Sequence, residues 1–118
     1  MKKVFHLSTC STCQRIIKEL GGLADFEQQN LKEKNISAKD LDFLKKKAGS
    51  YEALFSRRSM KYRAWGLHEK ELGEADYRKY ILEEYTFLKR PVIVDGEHVF
   101  IGNTKNVVEA AKAHLKLK

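Results

Sequence analysis

The chain has 118 residues and a formal charge of +7, with 42% hydrophobic and 33% charged residues. That size predicts a single domain over residues 1–118 with one modest core. No apolar run approaches the roughly 18 residues that span a bilayer. Val4-Phe5-His6-Leu7, after the basic Met1-Lys2-Lys3, is too short for a secretory leader. A cytoplasmic location with no membrane partner is the expectation. The positive surplus favours anionic partners such as acidic proteins or oxyanions. The lysines are spread over helix faces, Lys45-Lys46-Lys47 among them, so no direct nucleic-acid binding is expected.

Val4-Phe5-His6-Leu7 reads as a short buried strand. A helix follows, with Ser11 as its predicted N-cap and Gln14 at the capping-box distance. Cys13, Ile16, Ile17 and Leu20 share one face of that helix, and Gly21-Gly22 ends it. Phe26 to Leu31 is a second strand candidate. Ser37 caps the next helix, with Ile36 and Leu41 as a hydrophobic staple, Leu41, Leu44 and Ala48 inward, and Gly49 as its stop. Ser50 is the predicted cap of a short helix holding Ala53, Leu54 and Phe55. A basic stretch, Arg57 to Arg63, leads to a helix with Asp76 as its predicted N-cap and Tyr77, Tyr80, Ile81 and Tyr85 along it.

Arg90-Pro91 holds the only proline and opens the β-branched strand Val92-Ile93-Val94. Asp95-Gly96 signals a hairpin turn to His98-Val99-Phe100-Ile101. Gly102-Asn103 then leads into a last helix with Val107, Val108, Ala111 and Leu115 inward. The early β-α-β supplies a parallel pair and the late hairpin an antiparallel one. The expected fold is therefore α/β and thioredoxin-like: a mixed four-stranded sheet with helices on its faces and a helical insertion between its halves.

The only two cysteines, Cys10 and Cys13, stand three apart. A disulfide closing so small a loop adds little to stability, so the pair points to reversible redox chemistry. A helix start offers unpaired N–H groups and a positive dipole end, both of which favour a thiolate. Cys10, at that start, is the expected nucleophile. Cys13, a turn inside, is the expected resolving thiol. Two small buried hydrophobes with no redox role are one competing reading, and half of a zinc site is another. Zinc needs two more ligands, and His6, His68, His98 and His114 are scattered, so no metal is expected.

Ser8-Thr9-Cys10-Ser11-Thr12-Cys13, the later Arg57-Arg58-Ser59, and Arg90-Pro91-Val92-Ile93-Val94-Asp95-Gly96 with Phe100-Ile101-Gly102 resemble the ArsC/Spx family over nearly the whole chain. The family joins glutaredoxin-linked arsenate reductases and Spx-type redox regulators of RNA polymerase. The resemblance implies that arginines surround the nucleophile: Arg90, and Arg58 or, one register away, Arg57. Guanidinium groups suit this role because they bind oxyanions as charged forks and stabilise a thiolate. It also makes Pro91 the candidate cis-proline. The chain carries Gln14 where reductase members carry an arginine, and Lys105 near the place of a third one.

Two functions follow from the resemblance. The first is a thiol-dependent, arsenate reductase-like oxidoreductase acting on an oxyanion such as arsenate, or on a disulfide. It would hold no bound cofactor, use glutathione as co-substrate, and be re-reduced by glutaredoxin or thioredoxin. The second is a Spx-like sensor whose Cys10–Cys13 disulfide alters binding to an RNA polymerase subunit.

Overall fold

Apolar runs become the central strands of a sheet, and amphipathic stretches become helices. In the computed structural model, which describes residues 1–116, the first half of the chain forms β1 (Lys2–His6), α1 (Ser11–Glu19), β2 (Glu27–Asn30) and α2 (Ala38–Ala48). Then come α3 (Met60–Ala64), α4 (Glu74–Glu83), β3 (Val92–Asp95), β4 (His98–Ile101) and α5 (Lys105–Leu115). Leu117 and Lys118 lie outside the described residues. No helix among the described residues is long and apolar enough to cross a membrane.

The chain divides into two compact units, Met1–Lys34 with Arg90–Lys118, and Asn35–Lys89. The first holds a mixed sheet in the order β2-β1-β3-β4. β1 runs parallel to β2 and antiparallel to β3, and β3 is antiparallel to β4. Val4 lies opposite Ile93, and Ile93 opposite Phe100, so the three share one face. Ile16 and Ile17 of α1, Leu20 at its C-cap, and Val108 and Ala111 of α5 pack on that face, with Phe100 and Leu115 at its margin. Phe5, Val92 and Val94 point the other way and are fully buried. β1 and β3 are thus buried on both faces, which is why they read as continuous apolar runs rather than as alternating strands.

The hairpin turn is displaced by one residue from its sequence signal. Asp95 pairs with His98 inside the ladder, and the two-residue loop is Gly96-Glu97, with Gly96 at φ +62°. Gly102 sits at φ +95°, a conformation costly for a residue with a Cβ, and its N–H donates to the Pro91 carbonyl at 2.9 Å. Thr104 then caps α5, its hydroxyl accepting the Val107 N–H at 3.3 Å.

In the second unit Ser37 caps α2 by accepting the Asp40 N–H, and Gly49, at φ +95°, ends it. Ile36 and Leu41 are both buried, as a staple requires. Ser50 Oγ accepts the Ala53 N–H at 3.1 Å ahead of a single 3-10 turn, Glu52–Leu54. Asp76 is not the cap of α4: Gly73 is, and Asp76 is the third helical residue, its carboxylate accepting the Gly73 N–H at 2.9 Å. The helix stops at Glu83, and Tyr85 begins a separate 3-10 turn. Phe55 is the packing centre of this unit. It is 1% exposed and lies 4.9 Å, centroid to centroid, from both Phe87 and Tyr77.

A second correction concerns the start of α1. Ser11 is its first helical residue, and the N-cap is Cys10, with extended φ −93° and ψ 107°. An N-cap side chain bonds the N–H three residues on. That distance is the spacing of the two cysteines, and Cys10 Sγ accepts the Cys13 N–H at 3.4 Å. Gln14 does not reach back to close a box on Ser11; its amide turns to the preceding loop instead.

Candidate active site

Cys10 stands at the end of the loop that leaves β1. Its N–H donates to the Leu7 carbonyl at 3.1 Å, and its own carbonyl accepts the Gln14 N–H at 3.1 Å, the first helical bond of α1. The chain therefore turns sharply after Leu7 and presents Cys10 partly exposed, while Cys13 is fully buried on the inner face of α1. Both cysteines are free thiols. The first turn of α1 contains no acidic residue, so nothing offsets its positive end.

The two thiols are driven in opposite directions. Partial burial works against a Cys10 thiolate, but hydrogen bonds from the Cys13 N–H and thiol, the Arg90 charge and the Thr12 N–H together outweigh it. The Cys10 pKa is lowered as a result. Burial pushes the Cys13 thiol up to about 11, against an opposing hydrogen bond from Leu7, and a Cys10 thiolate beside it adds to the rise. Of the two sulfurs, Cys10 is therefore the one that ionises first. The Cys13 N–H donates to Cys10 Sγ at 3.4 Å, a bond that strengthens as the sulfur ionises.

Arg90, half-buried, precedes Pro91, which is buried, and the peptide bond between them is cis. Arg90 acts electrostatically on both sulfurs. Cys10, Cys13, Arg90 and Pro91 thus belong to one unit. Arg57 and Arg58 belong to the other. Arg57 is engaged there, its Nη2 donating to Glu52 Oε2 at 2.7 Å and to the Tyr77 hydroxyl at 2.9 Å. Arg58 is exposed. Lys105 opens α5 and is exposed. Among the described residues no three His, Cys, Asp or Glu side chains are grouped to hold a metal.

Two side chains meet at the loop that carries Cys10, a contact their sequence signals did not reveal. Gln14 Nε2 donates to the Leu7 carbonyl at 2.9 Å and lies 3.4 Å from His6 Nδ1. His6 is buried, and that burial lowers its pKa against the opposing pull of the Leu7 carbonyl and Glu33. The available signal was spacing: His6 precedes Cys10 by four residues and Gln14 follows it by four.

A mixed β-α-β and hairpin sheet, a cysteine capping the first helix and a cis X–Pro bond before the third strand define a thioredoxin-like thiol protein. The chain belongs to the ArsC family, whose profile matches residues 5–111. No curated protein matches it in sequence. Among solved structures it is similar to an arsenate reductase from Vibrio cholerae, at 16% identity and TM-score 0.72, covering 99% of this chain and 98% of that one. A possible arsenate reductase from Streptococcus mutans is 24% identical, with TM-score 0.71 and coverage of 89% and 92%. An arsenate reductase (ArsC) related protein from Brucella melitensis is 20% identical, with TM-score 0.69 and coverage of 98% and 95%. At these identities the likeness speaks for the fold.

Proposed function

We propose that the protein is a cytoplasmic thiol-dependent oxidoreductase of the arsenate reductase type, with Cys10 as nucleophile. The observation that carries this reading is the Cys10 sulfur at the N-cap of α1, hydrogen-bonded by the Cys13 N–H and influenced by Arg90. A thiolate is the reactive form of cysteine, and this environment favours it.

With an arsenate-like oxyanion, Cys10 Sγ⁻ bonds to the central atom as a hydroxyl of the oxyanion takes a proton from solvent and leaves as water. A second thiol then attacks Cys10 Sγ. The sulfur–arsenic bond breaks, its electron pair stays on arsenic, and arsenic(V) becomes arsenic(III) as two thiols become one disulfide. Cys13 or glutathione is that second thiol. In the first case glutaredoxin or thioredoxin reopens the Cys10–Cys13 bond by thiol–disulfide exchange. Arg90 holds the oxyanion with its guanidinium fork. A role for Arg58, or for Arg57, rests on the family resemblance alone. The engagement of Arg57 by Glu52 and Tyr77 favours Arg58.

The test follows NADPH consumption with arsenate, glutathione, glutaredoxin and glutathione reductase. Wild type turns over, Cys10→Ser is inactive, and Arg58→Ala reports on the second arginine. If wild type is as inactive as Cys10→Ser with arsenate and with disulfide substrates, the enzyme reading fails. A reversible Cys10–Cys13 disulfide without turnover would then put the sensor reading in its place.

A further inference from the structure

The Leu7 carbonyl accepts two hydrogen bonds, from the Cys10 N–H at 3.1 Å and from Gln14 Nε2 at 2.9 Å. A carbonyl oxygen only accepts. The Gln14 atom facing it must therefore be the amide nitrogen, and the orientation of the amide is fixed by chemistry rather than by choice. The same nitrogen lies 3.4 Å from His6 Nδ1. With one amide proton on Leu7, the other bonds Nδ1 when the neutral imidazole carries its proton on Nε2. Burial holds His6 in this neutral state.

We propose that Gln14 is a positioning residue for the Cys10 thiolate, clamping the loop between β1 and α1 by binding the Leu7 carbonyl and neutral His6 at once. The inference rests on the reading of Cys10 as nucleophile. Gln14 is well placed for this because it comes after the N-cap on a rigid helical turn, whereas His6 ends β1 and Leu7 follows it. Its side chain joins the two elements between which Cys10 turns. It touches neither sulfur in the structure's hydrogen bonds, so it acts through the angle at which the Cys13 N–H meets Cys10 Sγ. Hydrogen bonds weaken steeply as that angle closes. Gln14 is largely exposed and fills no core space, so its loss leaves the packing of Ile16, Ile17 and Leu20 in place.

The test is the pH profile of Cys10 alkylation by iodoacetamide, read by mass spectrometry, in wild type, Gln14→Met, Gln14→Asn and Lys18→Met. Methionine has the length but no donors; asparagine has the donors but falls short by a methylene. Both should raise the Cys10 midpoint, so that below the wild-type midpoint alkylation is about three- to tenfold slower. Lys18→Met, on the exposed side of the same helix, should match wild type. An unchanged midpoint in Gln14→Met overturns the inference while leaving Cys10 as nucleophile. An ordinary thiol midpoint in wild type overturns the functional reading itself. A second readout needs no variant: the ¹⁵N shifts of wild-type His6 should show the Nε2–H tautomer, and an Nδ1–H tautomer would refute the clamp.

Discussion

Cys10 Sγ accepts the Cys13 backbone N–H at 3.4 Å, so the residue that begins the helix and the residue one turn inside it are joined before any disulfide forms. The two-residue spacer does two jobs. It sets the N-cap geometry that favours a Cys10 thiolate, and in the proposed cycle it keeps the resolving sulfur close to the attacking one.

The opposed shifts of the two thiols predict a stability that depends on pH in the reduced protein. Cys13 is an acid whose folded pKa is raised, to about 11. The unfolded chain gives up that proton first, so the contribution of the buried thiol is complete below the ordinary thiol pKa. It is lost as pH rises through about 11 and amounts to roughly 3 kcal/mol. Cys10 has the opposite sense. Its lowered pKa stabilises the fold above the unfolded value, and that gain disappears as pH falls through the folded value. Urea unfolding between pH 8 and 11 should show a steeper loss in wild type than in Cys13→Ser. Parallel curves would contradict the burial argument.

Arg90 lends its positive charge to the Cys10 sulfur. Arg90→Met should slow Cys10 alkylation at pH 7 by about three- to tenfold through a higher thiol pKa. Arg90→Lys keeps the charge and should lose less of that rate. The same lysine variant should still lose oxyanion affinity, because an ammonium cannot form the fork. Sulfate protection of Cys10 from alkylation measures the second effect separately from the first.

Phe55 joins the 3-10 turn to the segment around Phe87. Its ring meets Phe87 and Tyr77, its backbone bridges Leu88, and the next N–H, of Ser56, donates to the Phe87 carbonyl at 2.7 Å. Phe55→Ala should cost about 3–5 kcal/mol of unfolding free energy. Phe55→Leu, which keeps most of the volume, should cost less than half of that. Chemical denaturation with near-UV dichroism checks both.

The sheet and its helices were legible because their signals are local and redundant. Val92-Ile93-Val94 is β-branched throughout, the α1 face repeats at helical spacing, and Gly49 sits where only a left-handed residue ends α2. Caps were harder, because Ser11 and Asp76 are good capping residues standing beside the true positions. At Ser11 the sequence rule favours oxygen, whereas the sulfur of Cys10 takes the bond. At Asp76 the carboxylate serves the same N-terminus from inside the helix. α3 was missed because it is five residues long with no buried side chain, so it has no apolar period to read. At the site, the cysteine pair and the Arg90-Pro91 step were visible as motifs. The Gln14 clamp was not, because its partner is a backbone carbonyl, which carries no sequence letter.

Native-state alkylation of the fully reduced protein across pH 5 to 9, with each cysteine followed by mass spectrometry, tests the whole account most directly. Cys10 should react with a midpoint below that of an unperturbed thiol, and Cys13 should stay unmodified while the protein is folded. Equal rates at the two positions, or faster reaction at Cys13, would mean that the opening turn of α1 does not stabilise a thiolate at Cys10.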